Sequence, residues 1–132
     1  METPRYTYPK AEKLKSRALI GSLFEGGKSV GKYPLRLVYV PLPEEDGSRT
    51  LMGVSVSKKH FKRAHDRNYY KRVLRECYRL HKHLLLDNIT QPYAIMFFYQ
   101  TKDRLPYAEI EAKTVQLFEK FCREEGPEEL RG

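Results

Sequence analysis

Residues 54–86 read VSVSKKHFKRAHDRNYYKRVLRECYRLHKHLLL, and the change of rhythm inside this stretch decides the fold. Val54 and Val56 point to one side of an extended strand, Ser55 and Ser57 to the other, and the strand reads back to Leu51. From Arg67 to about Leu86 the spacing becomes helical: Tyr70, Val73, Leu74, Cys77, Leu80 and Leu84 share one side. At roughly 100° per residue, Arg67, Asn68, Lys71, Arg72, Arg75, Arg79 and Lys82 fall within an arc of about 140° on the other side. Tyr78 also falls in that polar arc, and the segment Lys58–Asp66 joins strand to helix as a basic connector. A half-apolar strand feeding a half-apolar helix that must pack on the sheet implies a mixed α/β fold.

Working outward, Ser16 has the character of a helix N-cap, with Leu19, Ile20, Leu23 and Phe24 on one face behind it and Gly26 and Gly27 placed to stop the helix. Leu35–Val40 is β-branched and aromatic enough for a strand, and the acidic, Pro-bearing stretch Pro41–Arg49 supplies the turn that follows. Tyr93–Tyr99 is apolar at both alternating sets of positions, as a central strand covered on both faces requires. Pro106 suits the first turn of a last helix in which Ile110, Thr114, Leu117, Phe118 and Phe121 recur until Gly126. The order is α-β-β-α-β-α with a possible extra strand near Lys28–Tyr33, an α+β two-layer sandwich. Residues 16–125 form a single domain, preceded by an extended basic arm over residues 1–15 and followed by a short tail, 126–132.

The 132 residues carry a formal net charge of +8, and a basic excess on a small domain points to a polyanionic partner. Between Lys58 and Lys82 there are ten basic residues against two acidic ones, Asp66 and Glu76, while the rest of the chain is balanced. The charge is therefore a patch. On an ordinary solvated helix, Glu–Lys pairs four apart add a few tenths of a kcal/mol and like charges cost about as much. Here Arg67/Lys71, Lys71/Arg75 and Arg75/Arg79 follow one another, a face that repels itself unless it binds phosphates and releases their counterions. Lys58, Lys59, Lys62 and Arg63 extend the candidate RNA-binding set, and Asn68 and Tyr69 add groups able to contact bases or sugars. Ser55 and Ser57, beside Lys58 and Lys59, mark either a plain solvent-facing strand or a surface where an extended single strand lies. Phe24, Tyr33 and Tyr39 are either stacking platforms or core.

Catalytic chemistry finds no footing in the chain. His81 and His83 diverge by about 160° on a helix, and His60 and His65 lie among cations. Neither the four histidines nor Cys77 and Cys122 have a metal-ligand spacing, so no metal site is assigned. There is no Gly-rich phosphate loop, nucleophile elbow or paired carboxylates, and no catalytic residue is assigned. The two cysteines fit reduced thiols of a cytoplasmic protein. The charged, Pro-interrupted start lacks the apolar run of a secretory signal, and no stretch approaches the roughly 20 apolar residues of a membrane span.

Val54-Ser55-Val56-Ser57-Lys58-Lys59, the connector, and Arg67-Asn68-Tyr69-Tyr70-Lys71-Arg72-Val73-Leu74-Arg75-Glu76 together resemble the signature of the bacterial ribonuclease P protein family. Leu14-Lys15-Ser16 through Phe24-Glu25-Gly26-Gly27-Lys28-Ser29 resembles that family's first helix and its glycine stop, and the likeness spans roughly residues 13–122. It implies a sandwich with a left-handed β-α-β crossover, a rare hand. It further implies that Arg67, Asn68, Lys71, Arg72, Arg75 and Arg79 face the catalytic RNA, and that Ile20, Phe24, Arg36, Val38, Ser55 and Ser57 line a cleft for the single-stranded 5′ leader of precursor tRNA. Three departures stand out. The family's Arg-Asn-Arg ends here in Tyr69, Ile20 stands where the family has its first cleft aromatic, and the connector is about one residue longer than usual.

The resemblance implies a subunit that binds ribonuclease P RNA one to one and promotes 5′ maturation of tRNA. The protein would bind no cofactor alone, and magnesium held by the RNA would activate the attacking water. A structural RNA-binding protein of the ribosome or its assembly would share the basic patch but need no leader cleft. A DNA-binding protein is disfavoured because the basic helix lacks a helix-turn-helix partner.

Overall fold

The structure is a computed structural model, and it describes residues 12–43 and 49–125. The chain folds as α1 (Arg17–Gly26), β1 (Lys28–Lys32), β2 (Leu35–Pro41), β3 (Leu51–Val56), α2 (Ala64–Leu86), β4 (Tyr93–Tyr99) and α3 (Tyr107–Glu125). The four strands form one sheet in the order β1-β2-β4-β3. β1, β2 and β4 are antiparallel neighbours, while β3 runs parallel to β4, so α2 is the crossover that returns the chain beside β3. The expected mixed α/β sandwich is what forms, and the possible extra strand is real as β1.

Alternation assigns the two faces of the sheet. Leu35, Leu37 and Tyr39, Met52 and Val56, and Tyr93, Ile95, Phe97 and Tyr99 point to one side. They meet Tyr70, Leu74, Cys77, Tyr78 and Leu85 of α2 and Ile110, Leu117, Phe118 and Phe121 of α3 in the main core. On the other side, among the described residues, α1 and the incoming Leu14 cover the sheet, with Leu23 packed beside Leu14, Ala94 and Met96 in a much smaller cluster. β4 is thus covered on both faces as its sequence requires, apart from Phe98 at one end, which stays half-buried.

Local signals account for most element ends. The Ser16 Oγ accepts from the Leu19 N–H at 3.3 Å to start α1. Gly27 follows α1 with its N–H on the Leu23 carbonyl at 3.1 Å, and a Cβ there would sit 2.6 Å from that same oxygen, so only glycine fits. α2 begins at Ala64, three residues before the expected Arg67. β3 ends at Val56, one residue early, because Ser57 is drawn into a turn: its carbonyl accepts from the His60 and Phe61 N–H groups and its Oγ from the Lys59 N–H.

Pro106, expected in the first turn of the last helix, lies one residue before α3, where its carbonyl accepts from the Glu109 and Ile110 N–H groups. Residues 1–11 of the expected arm, 44–48 of the turn and the tail from 126 lie outside the described residues. The part of the arm that is described is packed. Lys13 bridges to Met52 along the edge of β3, and the Leu14 N–H donates to the Met52 carbonyl at 3.0 Å, which covers an otherwise open sheet edge.

Candidate nucleic-acid interface

The basic connector is held from beneath. Phe61, the only aromatic residue between Lys58 and Asp66, is buried and stacks on Tyr70 at 4.9 Å, and Tyr70 stacks in turn on Tyr99 at 4.7 Å. Arg67 Nη1 donates to the Phe61 and Lys62 carbonyls at 2.9 and 2.8 Å. Asp66 takes both Nη groups of Arg104, whose guanidinium also stands 5.5 Å over the Phe61 ring, and that pairing holds the Asp66 carboxyl below its usual range. These ties fix the backbone and leave Lys58, Lys59, Lys62 and Arg63 exposed around it. Among the described residues none of those four side chains forms a salt bridge.

α2 continues the surface, but rolled from its expected setting. Tyr78 is fully buried and Lys82 is only 7% exposed, while Leu80 and Leu84 are merely half-buried. At 100° per residue the buried arc is displaced by about 50° toward the cationic stripe. The cause is Glu12, whose carboxylate accepts from the Tyr78 hydroxyl at 3.1 Å and from Lys82 Nζ at 3.0 and 3.1 Å. The packed end of the arm thus claims one edge of the helix, and Lys82, expected on the RNA-binding face, is withdrawn from it.

Arg79 is bound to Glu76 through two hydrogen bonds, which hold the Glu76 carboxyl below its usual range. Arg67 is half-buried and spends Nη1 on the connector. Asn68, Arg72 and Arg75 are exposed, Tyr69 is 45% exposed and Lys71 half-buried. The side chains of Lys71, Arg72 and Arg75 have no salt-bridge partner among the described residues. Cys77 and Cys122, at the α2–α3 contact, are buried and pushed up to about 11 by that burial, so both stay protonated thiols near neutrality.

A second candidate surface lies on the sheet face that α1 covers incompletely. Arg36 and Ser55 are both in register with Phe98, so the three form a row across β2, β4 and β3. Phe24, 65% exposed at the end of α1, meets Phe98 edge-to-face at 6.1 Å. Arg36 Nη1 donates to Ser29 Oγ at 2.9 Å, which lays the guanidinium toward β1. Val38 and Ile20 pack into the small cluster under α1, so they support the cleft from its side.

Ser57 is exposed but belongs to the turn beyond β3, its Oγ engaged by Lys59. Tyr33 is exposed at the β1–β2 turn. Tyr39 is core, its ring against Phe121 and its hydroxyl donating to Glu125 at 2.8 Å.

Comparison with known proteins supplies the identity. A family model described as Ribonuclease P matches residues 8–122. The chain belongs to the ribonuclease P protein family. Among the family's curated members, the ribonuclease P protein component of Porphyromonas gingivalis strain W83 is 44% identical over 105 residues, covering 78% of this chain and 77% of that one. Ribonuclease P proteins also share the fold. The Staphylococcus aureus structure superposes with a TM-score of 0.69 over 85% of this chain and 96% of that one, at 22% identity. The Thermotoga maritima protein gives 0.66 over 83% and 96%, also at 22% identity.

Sequence reading missed three contributors to these ribonuclease P surfaces. Phe98 was absorbed into a strand that looked covered throughout, although a ten-residue α1 is too short to shield a four-stranded sheet. Phe61 had a signal in being the one aromatic in a run of cations. Glu12 had none, because its partners stand more than sixty positions away.

Proposed function

We propose that this protein is the RNA-binding subunit of a ribonuclease P that matures the 5′ end of tRNA, with catalysis carried by the RNA. Lys58, Lys59, Lys62 and Arg63 of the connector, with Asn68, Tyr69, Lys71, Arg72 and Arg75 on α2, bind the catalytic RNA. Arg79 joins them at the margin through its Glu76 pair, and Arg67 shapes the connector. The row Arg36–Phe98–Ser55 with Phe24 holds the single-stranded 5′ leader of precursor tRNA, stacking bases on exposed rings.

One protein binds one RNA, and magnesium ions held by that RNA supply the hydrolytic chemistry. The observation that carries this reading is a cluster of cations without salt-bridge partners among the described residues, held over a buried aromatic stack, in a chain of this family. Such a surface lowers the repulsion between two RNAs brought together.

The test is reconstitution with a cognate ribonuclease P RNA and precursor tRNA at low magnesium. Faster 5′ cleavage than with RNA alone is expected, and no gain overturns the proposal. Shortening the leader should weaken substrate binding to the holoenzyme. A ribosomal RNA-binding protein would be indifferent to leader length.

A further inference from the structure

Along one flank of the cationic stripe, α2 and the start of α3 enclose an open hollow of about 240 Å³ lined by Tyr69, Arg72, Val73, Glu76 and Tyr107. Its walls are almost wholly apolar, with Arg72 and Glu76 among the residues that line it. A volume below the roughly 300 Å³ at which small-molecule pockets usually begin leaves room for one flat ring system. Tyr69 meets Tyr70 edge-to-face at 4.9 Å and keeps nearly half its surface in solvent. Its neighbour across the hollow, Tyr107, is half-buried and its hydroxyl lies 3.5 Å from Glu111.

Glu76 is the unexpected member. A carboxylate beside Arg72 and Arg75 opposes phosphate binding, and its bonds to Arg79 occupy one acceptor site on each oxygen. The lone pairs left on the two oxygens diverge, so the carboxylate can accept from one further N–H donor.

We propose that this hollow takes one unstacked base of the RNA partner. The base stacks on Tyr69, its amino-bearing edge donates to Glu76, and an adjacent phosphate lies on Arg72. The proposal rests on the reading that the outer face of α2 holds RNA, and it adds a defined site for one base to that surface. Tyr69 then replaces a point of charge by a stacking platform.

The test is equilibrium binding of the full chain to its cognate ribonuclease P RNA across a salt series. Tyr69→Ala should weaken binding about tenfold without changing the slope of log affinity against log salt, since stacking neutralises no phosphate. Tyr69→Phe should stay within about twofold of the parent. Glu76→Gln gives the decisive sign. If only the field matters, removing a negative charge from a cationic face tightens binding, whereas loss of a base-reading carboxylate weakens it.

Unchanged affinity in Tyr69→Ala, or tighter binding in Glu76→Gln, overturns the base pocket while leaving the subunit proposal standing. Failure of the parent chain to bind the RNA overturns both. Circular dichroism and urea midpoints of all three variants, expected to match the parent, separate lost contacts from lost folding.

Discussion

The connector with α2 and the cleft under α1 flank the same sheet and are built in opposite ways. On the first, cations most of which have no salt-bridge partner among the described residues stand over an aromatic stack of Phe61, Tyr70 and Tyr99 that contributes no charge at all. On the second, a single cation, Arg36, is turned toward Ser29, and the exposed material is aromatic, Phe24 over Phe98. Phosphate contacts weaken steeply with salt, and base stacking does not. The two surfaces should therefore divide their work: salt-sensitive grip on a folded RNA, and salt-tolerant hold on a flexible strand.

The most disruptive way to break the contrast is to remove what lies beneath the charged surface. Phe61→Ala deletes a buried ring between Tyr70 and the Arg104 guanidinium and should cost about 3–5 kcal/mol of stability in urea unfolding, the usual range for a buried Phe→Ala. A loss below about 1 kcal/mol would mean that the Arg67 and Ser57 hydrogen bonds hold the connector without the ring.

Next in size is the charge itself. Arg72→Glu together with Arg75→Glu should lower affinity for the RNA by a hundredfold or so at low salt, and flatten the salt dependence by about one unit per lost phosphate contact. Both residues are exposed and without salt-bridge partners among the described residues, so the urea midpoint should hold. An unchanged slope would move the RNA off this helix.

A smaller effect, confined to the other surface, is expected of Phe24→Ala. Its ring is mostly in water, so folding should be spared. Affinity of the holoenzyme for precursor tRNA with a full leader should fall about tenfold, at a salt slope equal to the parent's. Substrate without a leader should not distinguish the variant from the parent. A loss seen equally with and without the leader would place the strand elsewhere.

The contrast was legible in the sequence to different depths. Period alone separated β3 from α2, and the run of like charges four apart exposed the basic face, because both signals lie within a few residues of one another. The cleft was less accessible. Its members come from α1, β2, β3 and β4, and nothing local says that Phe98 escapes cover while Phe97 beside it is fully buried. The alternation of β4 says only that adjacent rings point apart; how much of each face a short helix shields is decided by packing. The same limit applied at the edge of α2. Helical angles placed Lys82 and Tyr78 with the cations, and the long-range claim of Glu12 on both residues overrode that placement.

In RNA binding the smallest effect belongs to Lys82, and its size tests that correction. A lysine within the cationic arc should, by angle, contribute a phosphate contact and its share of the salt slope. A lysine held by Glu12 with only 9% of its side chain exposed has no such contact to lose. Lys82→Met keeps the length of the side chain and removes the charge, so affinity for the RNA and its salt slope should both match the parent's within error. The change should appear in the urea midpoint instead, because Glu12 loses the partner of a largely buried carboxylate. Glu12→Gln should lower that midpoint too, since it weakens the same contact from the other side. A flatter salt slope in Lys82→Met would return this residue to the RNA face and detach the arm from α2.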